Sequence, residues 1–195
     1  MKFKILTFIL STICFILYFH LTELENKYES TITDITNQKL YDEECFILET
    51  ELYEEYIDTL EFILNSLPLG SPLDTLILSD DYGTRRNPIY GGWQFHKGCD
   101  YLAAWQDTVY AAGNGIVSKA KWNYGYGRCI IINHIDQYQT YYAHLHRMFV
   151  NPGDTVIKGQ PIGRAGNSGA VTGPHLHYEI RKNKKTANPS DYIRD

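Results

Sequence analysis

Six of the seven histidines of this chain fall between residues 96 and 177: His96, His134, His144, His146, His175 and His177. Imidazole nitrogens and carboxylate oxygens are both good zinc ligands, so a histidine-rich stretch with a well-placed acid points to metal chemistry. His96-Lys97-Gly98-Cys99-Asp100 sets an imidazole and a carboxylate four positions apart, and Gly98 lets the backbone bend so that both reach one ion. Gly173-Pro174-His175-Leu176-His177-Tyr178-Glu179-Ile180 favours an extended strand. Residues i and i+2 of a strand share a face, so His175 and His177 project side by side into one groove, with Glu179 on the same side. By the same parity Asp100 faces the groove and Cys99 the core.

A second H-L-H run, His144-Leu145-His146, offers the same chemistry. Spacing alone does not choose between the two runs for the third ligand. Three protein ligands leave a fourth position for water, the arrangement of a catalytic zinc, whereas a fourth protein ligand closes the site. The sequence has no H-E-x-x-H pattern, so base and transition-state stabiliser must be histidines.

These residues need rigid elements under them. After Leu67-Pro68-Leu69-Gly70-Ser71-Pro72, short β segments alternate with glycine turns. Thr108 to Ala112 and Ile116 to Ala120 read as a hairpin around Gly113-Asn114-Gly115. Lys121 to Gly127 reads as an aromatic loop, and Cys129 to Ile132 as a strand paired with Tyr138 to His146 across a turn that holds His134 in solvent. Val156 to Gly163 reads as two short strands around a glycine turn. The implied class is all-β, a small antiparallel sandwich or half-barrel with one open groove.

The first third of the chain differs in kind. Residues 5 to 19 are apolar, with Lys2 and Lys4 before them and Glu23 and Glu25 after. Residues 1–22 are therefore expected to be a signal anchor or transmembrane segment, with the rest of the chain outside the cytoplasm. Residues 23 to 62 carry 13 acids against Lys27 and Lys39, so a net charge of −5 conceals an acidic segment of −11 and a remainder of +6. With no Pro or Gly and apolar residues at spacings of three and four, residues 24 to 64 read as one helix. The expected layout is anchor 1–22, acidic helical stalk 23–66, linker 67–78 and a β domain 79–195. The stalk has a second reading as an inhibitory or partner-docking segment. Four cysteines make no disulfide framework; Cys99 and Cys129 read as small buried hydrophobes, with a bridge between them as the alternative.

From about Ser79 to Ile193 the chain resembles the lysostaphin/LytM-type zinc metallopeptidases, peptidoglycan endopeptidases of the bacterial cell wall. The likeness runs through Tyr82-Gly83-Thr84-Arg85, His96-x3-Asp100, Val109-Tyr110-Ala111-Ala112 with Gly115, Tyr142-Ala143-His144-Leu145, Val156-x-Lys158-Gly159-Gln160 and Gly173-Pro174-His175-Leu176-His177. The resemblance implies a LytM-like fold of the duplicated-hybrid-motif type and Zn2+ held by His96, Asp100 and His177. It implies His144 and His175 as the catalytic histidines and leaves His146 a bystander. The implied reaction is hydrolysis of peptide cross-links by a metal-activated water, with Tyr90 and Arg85 as substrate-binding candidates. The implied partner is peptidoglycan, with no nucleic acid, and the location is the cell envelope. The competing expectation is a catalytically inactive LytM-like scaffold or activator, which should lack one or more of the five polar positions.

Overall fold

The computed structural model describes residues 2–37 and 43–193, the side chains of 2–9, 34–37, 43–44 and 46 excepted. Two helices, α1 (Lys2–Asn37) and α2 (Glu43–Ser66), come first. The strands follow as β1 (Leu78–Asp80), β2 (Gly83–Arg86), β3 (Trp93–His96), β4 (Cys99–Leu102), β5 (Thr108–Tyr110), β6 (Gly115–Asn123) and β7 (Gly127–Asn133). The remainder are β8 (Tyr138–Leu145), β9 (Arg147–Met148), β10 (Thr155–Val156), β11 (Pro161–Arg164), β12 (His175–Lys182) and β13 (Lys185–Ala187), before a short 3-10 turn at Pro189–Asp191.

An antiparallel sheet in the order β1-β4-β12-β8-β7-β6-β10, with β13 also paired to β12, forms the body of the β unit. A three-stranded sheet, β5-β11-β9, and a hairpin, β2-β3, complete it. Alternation explains the layering. Ile130 and Ile132 of β7, Tyr138 and Tyr142 of β8 and Leu176, Tyr178 and Ile180 of β12 are all buried. Cys99 and Tyr101 of β4 lie opposite Tyr178 and Leu176 and are buried with them. Burying a Tyr requires a partner for its hydroxyl, and Tyr142 Oη accepts the Ala112 N–H at 2.9 Å. The opposite face carries a smaller cluster of Cys129, Ile131 and Ala143 against Tyr126 and Tyr141, and beside it the polar residues of β12.

Three expectations for the β unit change. The hairpin expected over 108–120 does not form: β5 pairs with β11, while β6 pairs with β7 and β10. A glycine turn reverses the chain but does not oblige its flanks to pair, and here the turn carries the chain from one sheet to the other. The aromatic loop is shorter than expected, because β6 runs on to Asn123. Cys99 and Cys129 are buried as expected of small hydrophobes, on opposite faces of the large sheet, and all four cysteines are free, so the alternative of a bridge does not hold. The segment expected as a linker is packed down: Leu67 and Leu73 are buried, Gly70 N–H donates to Ala112 O at 2.8 Å, and Tyr110 N–H donates to Pro72 O at 3.0 Å.

The chain divides into a helical unit, Met1–Leu64, and a β unit from Asn65 onward. Within the helical unit the single helix expected over 24–64 is instead two, folded back beside one another. Leu21, Leu24 and Tyr28 of α1 share a groove with Leu52, Tyr53 and Tyr56 of α2, and Lys27 pairs with Glu55 at 3.1 Å. The run Thr31-Ile32-Thr33-Asp34-Ile35-Thr36-Asn37 is poor in helix formers, which fits α1 ending there. Among the described residues no helix is long and apolar enough to cross a membrane, so the anchor expected over 1–22 has no span to support it. Helix α1 also passes through residue 22 without a break, giving no boundary between anchor and stalk.

Candidate metal centre and catalytic groove

Strand β12 lies between β4 and β8, and its register fixes what meets over the sheet: His177 stands opposite Asp100 on one side and Ala143 on the other. His96, at the end of β3, arrives from the small hairpin. Gly98 serves this approach differently from the bend expected of it: a Cβ there would collide with the Tyr178 carbonyl, so only glycine lets the chain pass so close over β12.

The three side chains meet tightly. His177 Nδ1 lies 2.7 Å from Asp100 Oδ1, His96 Nε2 lies 3.1 Å from the same oxygen, and the two imidazole nitrogens are 3.0 Å apart. The outer atom of each ligand is held as well. His96 Nδ1–H donates to Asp81 O at 2.8 Å, and His177 Nε2–H donates to Glu179 Oε1 at 3.1 Å. These bonds assign the ring protons outward, so two lone pairs and a carboxylate oxygen converge on one point. Three acceptors so placed repel one another unless a cation or a shared proton sits among them. The donor set, two imidazole nitrogens and one carboxylate oxygen, fits zinc. Arg85 takes the remaining Asp100 oxygen at 3.5 Å and pairs with Asp80 at 3.0 Å, leaving Oδ1 for the centre.

The protonation of the cluster agrees with this picture. Burial pushes the Asp100 carboxyl up, but the hydrogen bonds from His177 and His96 outweigh it and hold it well below the usual carboxylate range. Burial lowers His177, yet Asp100 and Glu179 together raise it to about 9, the response of a ring asked to supply the missing positive charge. Glu179 is fully buried; against the upward push of burial, His177, Tyr126 and Arg181 keep it ionised. Tyr126 donates its hydroxyl to Glu179 Oε1 at 2.7 Å, and Arg181 Nε–H donates to Oε2 at 2.8 Å.

Two further histidines flank the centre. His144 sits on a β-bulge: Arg128 pairs with Leu145 but Ile130 with Tyr142, so Ala143 and His144 together oppose Cys129. The bulge puts His144 in the left-handed region, φ 60°, and places its side chain in the groove lining. Its Nδ1–H donates to Ser168 O at 2.8 Å, which leaves Nε2 without a hydrogen-bond partner among the described residues. Burial and the neighbouring His177 and His175 lower it to about 4, so the ring is neutral at pH 7. His175 Nδ1–H donates to Gly173 O at 2.9 Å, and its Nε2 lies 3.8 Å from Asp100 Oδ1. The His144 and His175 rings are 4.8 Å apart.

The open groove above these residues measures about 1000 Å³ and is lined on one side by the β2-β3 hairpin, including Tyr90 and Phe95, and on the other by Trp122 and Tyr124. Tyr90 is largely exposed, in position to meet a ligand. Of the expected site residues, His96, Asp100, His177, His144 and His175 come together, Arg85 joins them through Asp100, and Tyr90 stands at the rim. His146 lies outside, stacked on Trp105 at 4.7 Å. His134 corrects the expectation of a solvent-exposed turn residue: it is buried, bonded to Asn114 O and Thr140 Oγ1 at 2.8 Å each, and burial lowers it to about 4. The turn signal was right, but it says nothing about which side of the turn the ring takes. Sequence reasoning passed over Ser168, Asp81, Tyr126 and Arg181. Ser168 and Asp81 act on the histidines through backbone carbonyls, which leave no trace in residue type, whereas Arg181 shares the parity of Glu179 and was legible from it.

Residues 94–189 match the family model described as Peptidase family M23. Among curated relatives, the peptidoglycan DD-endopeptidase ShyC of Vibrio cholerae is 43% identical over 122 residues, 62% of this chain and 28% of that protein. The chain thus spans little more than a quarter of that relative's length. Among solved structures, the catalytic domain of a mutant of the prophage-encoded M23 protein EnpA from Enterococcus faecalis is 34% identical with TM-score 0.54, covering 62% of this chain and 94% of that one. A zinc-containing peptidase from Vibrio cholerae is 30% identical with TM-score 0.57, over 64% of this chain and 39% of that one.

Proposed function

The chain belongs to peptidase family M23, and on that premise we propose that it is a zinc-dependent endopeptidase that hydrolyses the peptide cross-links of bacterial peptidoglycan. One observation carries the reading: His96 Nε2, Asp100 Oδ1 and His177 Nδ1 converge within 3.1 Å of one another, with His144 and His175 beside them in an open groove. In this reading His96, Asp100 and His177 hold the zinc. A zinc ion so held lowers the pKa of a bound water toward about 7 and polarises the scissile carbonyl.

The chain's own residues supply the rest. His144, neutral at pH 7, accepts the proton of the attacking water at Nε2, and Ser168 O steadies the resulting imidazolium through Nδ1–H. That proton then passes from Nε2 to the leaving amine. His175, tethered by Gly173 O, stands beside the centre and orients the substrate's scissile carbonyl. Arg85 fixes Asp100, and Tyr90 is the rim residue assigned to substrate. A scaffold that had lost catalysis should lack at least one of the five polar side chains, and all five are present. Peptidoglycan as substrate puts the site of action outside the cytoplasm.

The test is direct. The purified protein should bind close to one zinc and release soluble fragments from peptidoglycan. His177→Ala should abolish both, whereas His175→Ala should spare most of the zinc and remove the activity. Hydrolysis unaffected by either change would overturn the reading.

A further inference from the structure

On the three-stranded sheet, away from the groove lining, two arginines stand where stability disfavours them. Arg147 of β9 and Arg164 of β11 are direct cross-strand partners. Like charges so placed cost stability, and such a pair normally recruits a carboxylate. None is within ion-pair distance of either among the described residues. Between Asp136 and Glu179 the chain has one acid, Asp154, and that carboxylate is turned to Asn151 N. Asp107, on the adjoining loop, is turned to Ala104 N. Arg164 is anchored through one nitrogen alone, to Thr108 Oγ1 and Gln106 O, and the Arg147 side chain is exposed with no hydrogen bond among the described residues. Both guanidinium carbons lie 5.8 Å from the ring of Phe149, which is itself exposed and holds the two charges apart.

We propose that Arg147 and Arg164 form an anion-binding exosite for the free carboxylates of peptidoglycan stem peptides, holding the polymer beyond the cut site; this rests on the function proposed above. Two planar forks with open donors match carboxylates bidentately. The occupant follows from continuity. Arg147 comes three residues after His144, and Arg164 O accepts the His146 N–H at 2.8 Å, so the paired arginines continue directly from the catalytic strand. A polymer that runs from the groove past His146 would meet this surface. The cost of the like-charge pair then has a use: it is relieved when substrate arrives.

The test uses the full chain with Arg147→Glu, which removes the exosite and gives Arg164 an ion-pair partner. Co-sedimentation with insoluble peptidoglycan stripped of phosphate polymers should weaken roughly tenfold, and hydrolysis of that polymer should fall with it. Cleavage of a small soluble cross-linked peptide dimer should stay at the wild-type rate, and the melting temperature should rise by about 1–4 °C. Unchanged sedimentation would overturn the proposal, and so would a loss confined to walls that still carry phosphate polymers. Failure of the wild-type protein to cut the soluble dimer would instead bring down the hydrolase reading, while the sedimentation contrast would still decide the exosite.

Discussion

Glu179 shows how a single buried side chain shapes the metal centre. It is a carboxylate with no exposure, satisfied by His177, Tyr126 and Arg181. Its effect is to hold the His177 proton on Nε2, so that Nδ1 rather than Nε2 offers its lone pair to the centre. Removing the charge but keeping the acceptor, Glu179→Gln, should preserve the fold and weaken zinc binding by about 10- to 100-fold, measured by competition with a chelator. Wild-type affinity in that variant would mean that packing alone orients His177. At this scale the sequence was informative where residue type carried the chemistry: H-x3-D and the His175-Leu176-His177 run were legible because their own side chains are the ones that converge. It was silent at Asp81 and Ser168, whose contributions are carbonyl oxygens that any residue owns.

Among the elements, β12 and the bulged end of β8 divide the labour. The first supplies His175 and His177 by simple alternation, which period-two reasoning reads correctly. The second supplies His144 by breaking alternation, which no periodicity announces. The bulge is held from outside: Ser168 Oγ–H donates to Leu145 O at 2.8 Å and accepts the Arg128 N–H at 2.9 Å, while Ser168 O receives the His144 Nδ1–H. Gly127, at φ +66°, packs against the same serine so closely that a Cβ would strike it. Ser168→Ala should therefore lower kcat at least tenfold with zinc content unchanged, at a stability cost of about 1–2 kcal/mol, read by steady-state assay and thermal melting. Equal kcat would show that the bulge needs no brace. The mistaken hairpin over 108–120 belongs to this scale too: strand propensity and a glycine turn were both right, but a strand's partner is set by packing far away in sequence.

For the molecule as a whole, composition was a good guide to the divide between an acidic helical unit and a β unit, and a poor guide to its edge. Residues 65–78 look like linker by their prolines and glycine, yet Leu67 and Leu73 are buried in the β unit. The stability of that unit should depend on pH through His134. Its folded pKa is depressed to about 4 by burial, below the ordinary 6.5. The unfolded chain therefore takes up the proton first as pH falls, so the contribution of His134 is full above about 6.5 and declines between 6.5 and 4, by at most about 3 kcal/mol. Urea melts of the metal-free protein across that window should show the decline, and His134→Gln should roughly halve it, because His144, also lowered to about 4, contributes over the same window. A variant with the wild-type slope would assign the effect to other groups.

The centre is assembled from distant parts of the chain: His96 and His177 meet across 81 residues of sequence, and β12, which completes the trio, comes eight strands after β4 in chain order. A nascent chain that ends before β12 lacks one of the three converging side chains. On the function proposed above, hydrolytic activity then arises only with the closing of the sheet. The order of synthesis itself thus acts as a safety catch.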